Sequence, residues 1–520
     1  MAKKTRTQHS VRNVMVGTGG YFFNLILSFV CRIMFTHVFN SVYLGVSSLF
    51  SNIFTMLSLA ELGIGTAIIY ALYKPIAEND KEKIASIVLF YKRAYRTVGL
   101  VVTVAGIAVM PFLHLIVGDS YTIPENMYVV YLMYLISTTS SYLFFSYKAS
   151  LITAMQENWI VTGLGYIQGF VQNALQIISL AIFKNFYIYL AIQIASIIAY
   201  NFVISIIADK KYPYIKKAEP LPKEERSKIF KNLRYLIVYK LSGVLVHGTD
   251  NVITSYFKGL STVGMSTNYT LLSSMCSSFI NQIFTNLTAS VGNLNASESI
   301  EKKFSVFKTI NFANFWFYSW FGICIFVLGD DIVHLMFGAS YVMEKSISFI
   351  IAINFFMAGM QQAVWTFRNT MGLFKYGRYM QCGTAAINLV VSIILGKYWG
   401  LFGILLATAI ARACTNTWYD PYALFKHGFK MKPSKYFIKY FIYVALLFSI
   451  GAATFFACKY IDFKYLIVTL IVKGLICIVL PNLVIVLIYR KSNELQSLLA
   501  VVKSMKIVKM LHINKILEKI

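Results

Sequence analysis

The sequence predicts an all-α polytopic membrane protein with about fourteen transmembrane helices, and three observations predict it. Of 520 residues, 58% are hydrophobic and 13% charged, where a soluble domain carries about a quarter charged residues. The apolar residues fall into about fourteen stretches, each near the roughly 20 residues that a helix needs to cross hydrocarbon. The segments between them alternate between rich and poor in Lys and Arg, as successive loops on opposite sides of a membrane do.

The spans are expected at 14–38, 42–72, 97–117, 127–152, 159–183, 186–207, 233–257, 263–294, 309–329, 346–370, 379–396, 400–418, 437–457 and 465–488. Lys3, Lys4 and Arg6 precede the first, and Lys74, Lys81 and Lys83 lie between the second and third. A basic run over 210–234 separates the sixth from the seventh, and Lys302 and Lys303 precede the ninth. Further basic residues follow over 426–439 and after Arg490, whereas the alternate loops hold little beyond Lys184, Lys345, Lys397 and Lys459. Retention of Lys and Arg inside is expected to place both termini in the cytoplasm, and a multi-pass protein of the cell (inner/cytoplasmic) membrane is expected. The same sorting explains most of the net charge of +27, so no nucleic-acid partner is expected. The basic start runs directly into a full-length span, so no cleavable signal is expected. Seven scattered cysteines without a CxxC spacing indicate neither a disulfide framework nor a metal site. Gly19-Gly20-Tyr21 lies in a span and lacks the Lys-Ser/Thr of a phosphate loop. No cofactor is expected.

An internal repeat organises the spans. His114-Leu-Ile-Val-Gly118-Asp-Ser120-Tyr121 matches His334-Leu-Met-Phe-Gly338-Ala-Ser340-Tyr341, and the same offset lays Lys148 on Arg368. A one-residue slip lays Gly45-Val-Ser47 on Gly264-Met-Ser266 and Lys83 on Lys302. The offset covers six helices, an even number, so the copies enter the membrane in the same sense. Two six-helix lobes follow as parallel repeats, 1–208 and 233–420, joined by a cytoplasmic linker over 209–232 and followed by two extra helices over 421–490. Such lobes rock about a central site in transporters. The tail, 491–520, has the amphipathic basic pattern of a helix lying on an anionic leaflet.

Ionisable residues at membrane depth are costly and mark function unless a partner explains them. By these boundaries Glu61 and Asp250 are the acids inside the spans, against the bases Arg32, Lys240, Arg412 and Lys473. That balance suits an anionic substrate. Lys148 and Arg368 end the fourth and tenth spans. Their repeat symmetry makes them candidates for a diphosphate, together with Lys240, Arg412 and Arg32; their position also fits ordinary inside-end cations. Arg32 and Asp250 share a depth on pseudo-symmetric helices and are candidates for a gating ion pair, with Glu61 a further gating or ion-coupling candidate. The structural alternatives are snorkelling for Arg32 and Lys473, and local hydrogen bonding for Asp250. Trp365 and Tyr147 are candidates to line a sugar path.

Leu59-Ala-Glu-Leu-Gly63-Ile-Gly65-Thr-Ala67 and Asp250-Asn-Val-Ile-Thr-Ser-Tyr-Phe-Lys-Gly259, followed by Val263-Gly264, carry a family resemblance. With them the chain resembles polysaccharide flippases of the Wzx type, in the multidrug/oligosaccharidyl-lipid/polysaccharide exporter superfamily. The resemblance implies transport of an undecaprenyl-diphosphate-linked oligosaccharide from the cytoplasmic to the outer leaflet, for capsule, exopolysaccharide or lipopolysaccharide assembly. It implies membrane lipids, a glycan polymerase and chain-length machinery as partners. The superfamily also contains cation-coupled antiporters, often with an acid in the first span, where this chain carries Arg32, and lipid II flippases. An integral-membrane glycan polymerase or acyltransferase is a third reading. Against it, the outer loops are short, the longest being around 330–345, and no nucleophile–base constellation is present; a non-enzyme is expected.

Overall fold

The computed structural model describes residues 6–58, 64–216, 219–373, 376–377 and 380–504, with helices and no strand among them. The helices of the first half are α1 (Arg6–Val38), α2 (Ser41–Leu57), α3 (Ile64–Ala77), α4 (Lys81–Val109), α5 (Leu113–Val117), α6 (Met127–Leu143), α7 (Tyr147–Ala154), α8 (Asn158–Ile182) and α9 (Phe186–Lys211). A long α10 (Lys223–Ser297) follows, then α11 (Ile300–Phe337), α12 (Lys345–Thr370), α13 (Met380–Cys414), α14 (Asn416–Ala423), α15 (Ser434–Lys459), α16 (Leu466–Tyr489) and α17 (Asn493–Ser504). Among the described residues, seven helical segments are long and apolar enough to cross a membrane, and α6 with α7, bent by 44°, form an eighth. α10 spans 75 residues but breaks at Gly259, whose φ of 79° only glycine adopts cheaply. Gly400 (φ 57°) divides α13 in the same way. These breaks fall where the sequence places the turns after spans seven and eleven. With α1, α2–α3 and α8, the architecture is the expected all-α polytopic one.

Two compact units, Met1–Gly264 and Met265–Ile520, make up the chain. Within the first, α2, α6 and α9 each start on an asparagine, Asn40, Asn126 and Asn185, whose side-chain oxygen accepts a backbone N–H of the first turn. α9 runs through Asp209 to Lys211, so that acid is helical.

The sequence repeat corresponds to repeated local structure. Gly118 and Gly338 end α5 and α11 with positive φ, each donating its N–H to the matching histidine carbonyl, His114 or His334. A short 3-10 turn follows each. Lys83 and Lys302 hold the same place in α4 and α11: their backbone N–H groups donate to the capping side chains of Asp80 (2.9 Å) and Ser299 (3.4 Å). Gly45 and Gly264 show why small residues recur. A Cβ on Gly45 would sit 1.9 Å from the Leu260 carbonyl oxygen, and one on Gly264 would sit 2.0 Å from that of Ser41. The two contacts are reciprocal under the one-residue-slipped offset, and the Ser41 and Ser261 hydroxyls beside them are 2.6 Å apart. Only glycine permits this backbone approach of α2 to α10. The pair Ser41→Cys with Ser261→Cys is therefore expected to form a disulfide under mild oxidation, detected by peptide mass spectrometry. Adding Gly45→Leu is expected to abolish it. A crosslink that survives Gly45→Leu would contradict the close packing.

At the C-terminal end, Lys439 of α15 donates to Glu494 in the first turn of α17. Burial pushes the Glu494 carboxyl up, but the Lys439 ammonium and a backbone N–H outweigh it and hold the group below its ordinary value. A depressed folded-state pKa stabilises above the unfolded value, about 4.3, and that contribution is lost as pH falls through the folded value. A spin label at Ala500 is expected to gain mobility below about pH 4 in wild type and to be mobile at neutral pH in Glu494→Gln. Equal mobility in the two proteins at neutral pH would contradict the clamp.

Candidate functional site

The cations singled out by the repeat are held by acids of their own unit. Lys148, at the start of α7 just past a bend at Phe145 (φ 61°), is buried. Its Nζ donates to Asp209 Oδ1 and Ser205 Oγ of α9, both at 2.7 Å, and lies 4.9 Å from the Phe145 ring centre. Arg368, in the last turn of α12, donates to Asp420 of α14 and to the Tyr376 carbonyl. Trp365 donates its indole N–H to the other Asp420 oxygen at 2.8 Å. The Arg368 and Asp420 side chains are 10% and 2% exposed, which makes this an interior pair. Each of the two repeat-related cations is thus one half of an ion pair within its own unit.

The two acids that hold these cations lie just outside the expected spans. Asp209 and Asp420 each follow their expected span by two positions, and helix continues through both. Asp330 and Asp331 were expected in the longest outer loop, yet α11 carries on to Phe337. Helix is possible there because both carboxylates are satisfied. Asp330 accepts from Lys345 Nζ (2.8 Å), Tyr269 Oη (3.0 Å) and Ser348. Asp331 accepts from Lys473 Nζ of α16 at 2.7 Å. Lys473, expected to snorkel or face lipid, is instead 16% exposed and bridges α16 to α11.

The remaining candidates divide into two sets. Arg412 is half-buried and donates to neutral acceptors, the Asn354 carbonyl (3.0 Å) and amide oxygen (3.4 Å). Arg32 is half-buried on α1, close enough to Cys31, Tyr134 and Tyr189 to act on them electrostatically. Beyond it α1 ends in an aromatic cluster. Phe35 lies 5.0 Å from both Phe39 and Tyr189, and Phe39 stacks on Tyr43 at 4.5 Å between ring centres. Tyr43 donates to Glu125 at 2.7 Å. Asp250 is half-buried on α10, just past Gly248, which abuts the Met56 side chain. Glu61 and the Lys240 side chain lie outside the described residues, as does the tail beyond 504. Tyr147 is buried beside Lys148. Among the described residues, no cluster of three or more His, Cys, Asp or Glu has metal-site geometry.

No family model and no curated protein matches the chain. Solved structures share its fold. A lipid II flippase, MurJ, in an inward closed conformation superposes with a TM-score of 0.67 at 13% identity, covering 92% of this chain and 99% of the other. An inward-facing multidrug-resistance MATE transporter of the MOP superfamily gives 0.54 at 12% identity, covering 78% and 94%. A Vibrio cholerae MATE transporter gives 0.53 at 13% identity, covering 82% and 99%. The chain therefore has the polytopic fold of these flippases and transporters.

A buried pair gains little over an apolar pair, but breaking one side leaves a stranded charge and costs about 3–5 kcal/mol. Arg368→Met is accordingly expected to lower the unfolding temperature in detergent sharply, and Arg368→Met with Asp420→Leu to recover most of the loss. A double variant as unstable as the single would contradict a closed structural pair.

Proposed function

We propose that the protein is a flippase moving an undecaprenyl-diphosphate-linked oligosaccharide from the cytoplasmic to the outer leaflet, by alternating access, for surface-polysaccharide assembly. Both termini are then cytoplasmic in the inner membrane, and a glycan polymerase and chain-length machinery receive the product. The observation that carries this reading is the extent of the fold match. The flippase match leaves 8% of 520 residues unmatched, about 42, fewer than the residues from α15 onward, so it reaches into the last helices. The MATE matches above leave 18–22%, enough to omit them entirely.

Two further features support a lipid-anchored anion over a small cation. The first span carries Arg32 in place of an acid, and Arg412 presents a second guanidinium to neutral oxygens. Along α15 run two adjoining apolar cavities of ≈ 220 and ≈ 360 Å³, which share Ile353, Leu447 and Phe448. Such a groove suits a prenyl chain. Arg32 and Asp250 are proposed as the gate, with Arg32 exchanging Asp250 for the diphosphate. Lipid II is the second reading, favoured by the flippase superposition.

In proteoliposomes, the protein is expected to expose an undecaprenyl-diphosphate-linked oligosaccharide to a membrane-impermeant glycosidase added on the opposite side. Lipid II and ethidium are run in parallel. Flipping of lipid II alone would select the second reading, and proton-driven ethidium transport with neither lipid moved would overturn both.

A further inference from the structure

α8 is 25 residues long, yet it is not among the segments apolar enough to cross a membrane. The cause is four carboxamides, Gln168, Gln172, Asn173 and Gln176. Together with Gly165 and Gly169 they occupy one face at helical spacing. That face packs on a matching face of α1 carrying Gly20, Asn24, Ser28 and Cys31. A Cβ on Gly20 would lie 2.3 Å from the Tyr166 ring, and one on Gly169 would lie 2.4 Å from the Asn24 amide. Across the seam, Asn173 Nδ2 donates to Ser28 Oγ (3.0 Å) and Asn24 Oδ1 (3.4 Å), and Asn24 Nδ2 donates to the Tyr166 carbonyl (3.0 Å). Along α8, Gln168 Nε2 donates to Gln172 Oε1 at 2.7 Å, and toward α9 Gln176 Nε2 donates to the Tyr189 carbonyl at 3.1 Å.

A purely structural seam would be buried with its hydrogen bonds closed. Here Asn24, Gln168, Gln172 and Asn173 are half-buried and Ser28 is exposed. Gln168 Oε1 and Asn173 Oδ1 accept nothing from the described residues. Open amides facing hydrocarbon are costly. The lipid-type face of α8 is a different one, where Ile167, Val171, Leu175 and Ile178 stand exposed at helical spacing. From Gly20 to Cys31 the polar strip runs about 16 Å at 1.5 Å per residue, roughly half the hydrocarbon thickness.

We infer that this strip binds the uncharged, hydroxyl-rich part of the headgroup, one or more sugar residues. A carboxamide donates and accepts at once, as adjacent hydroxyls on a sugar ring do. The strip's side chains from Asn24 to Cys31 and from Gln168 to Gln176 carry no charge, so they match neither a cation nor a phosphate. Arg32, one turn beyond Ser28, places a guanidinium at its end for the anionic linkage. The inference rests on the flippase reading and gives its site a sugar-contact surface.

Binding to full-length protein in nanodiscs tests it, with two probes: undecaprenyl diphosphate bearing one N-acetylhexosamine, and sugar-free undecaprenyl diphosphate. The sugar-bearing lipid is expected to bind about tenfold more tightly, the worth of one or two neutral hydrogen bonds. Gln172→Leu with Asn173→Leu is expected to erase that preference without weakening the sugar-free lipid; if this pair fails to fold, Gln172→Met alone is expected to reduce it about threefold. Equal binding of the two lipids by wild type, or a preference that survives substitution, overturns the sugar surface and leaves the flippase reading standing. Binding of neither lipid overturns the flippase reading, and the sugar surface with it.

Discussion

A charge carried into hydrocarbon must bring its counter-charge, and this requirement organises the interior of the protein. Lys148 with Asp209, Arg368 with Asp420, Lys345 with Asp330 and Lys473 with Asp331 each join two helices of one unit. The bent or broken segments depend on it most. α7 begins just past the bend at Phe145 and is tied to α9 through Lys148. α14 is tied to α12 through Arg368. Such pairs add little net stability over apolar contacts, yet they penalise any alternative packing that would strand one partner. They fix which helices meet.

Pairing also divides the cations by role. Lys148 and Arg368 spend their charge on carboxylates inside their own units. Arg412 donates to neutral oxygens of Asn354, and Arg32 sits at the end of the amide strip between α1 and α8. Drawing Lys148 or Arg368 onto an anionic headgroup would strand the carboxylate each one holds. We therefore propose that the diphosphate meets Arg32, at the end of the amide strip that would hold the sugars.

Much of the fold was legible in the sequence because hydrophobic length and Lys/Arg distribution are local signals. The repeat was legible too, and its weak matches each correspond to a structural device: His114 and His334 accept from cap glycines, Lys83 and Lys302 occupy helix first turns, and Gly45 and Gly264 allow backbone contact. The acids were the failure. Asp209, Asp420, Asp330 and Asp331 lie where hydropathy falls, so they read as loop, and only tertiary pairing reveals that helix continues through them. One signal was available: Asp209 and Asp420 each follow the sixth span of their repeat by two positions. The amides of α8 were passed over because uncharged residues do not stand out against a search for ions. Their spacing on one face was already visible.

The division of roles is tested most directly by flipping rates in proteoliposomes for two folded variants. Lys148→Met with Asp209→Leu, which removes a paired charge together with its partner, is expected to flip lipid-linked oligosaccharide within about threefold of wild type, since the pair is structural. Arg32→Gln is expected to lose about tenfold or more, the scale of a charge-assisted hydrogen bond. The reverse result, an inactive pair-free protein and an unaffected Arg32→Gln, would place the anionic headgroup on Lys148 and contradict the assignment made here.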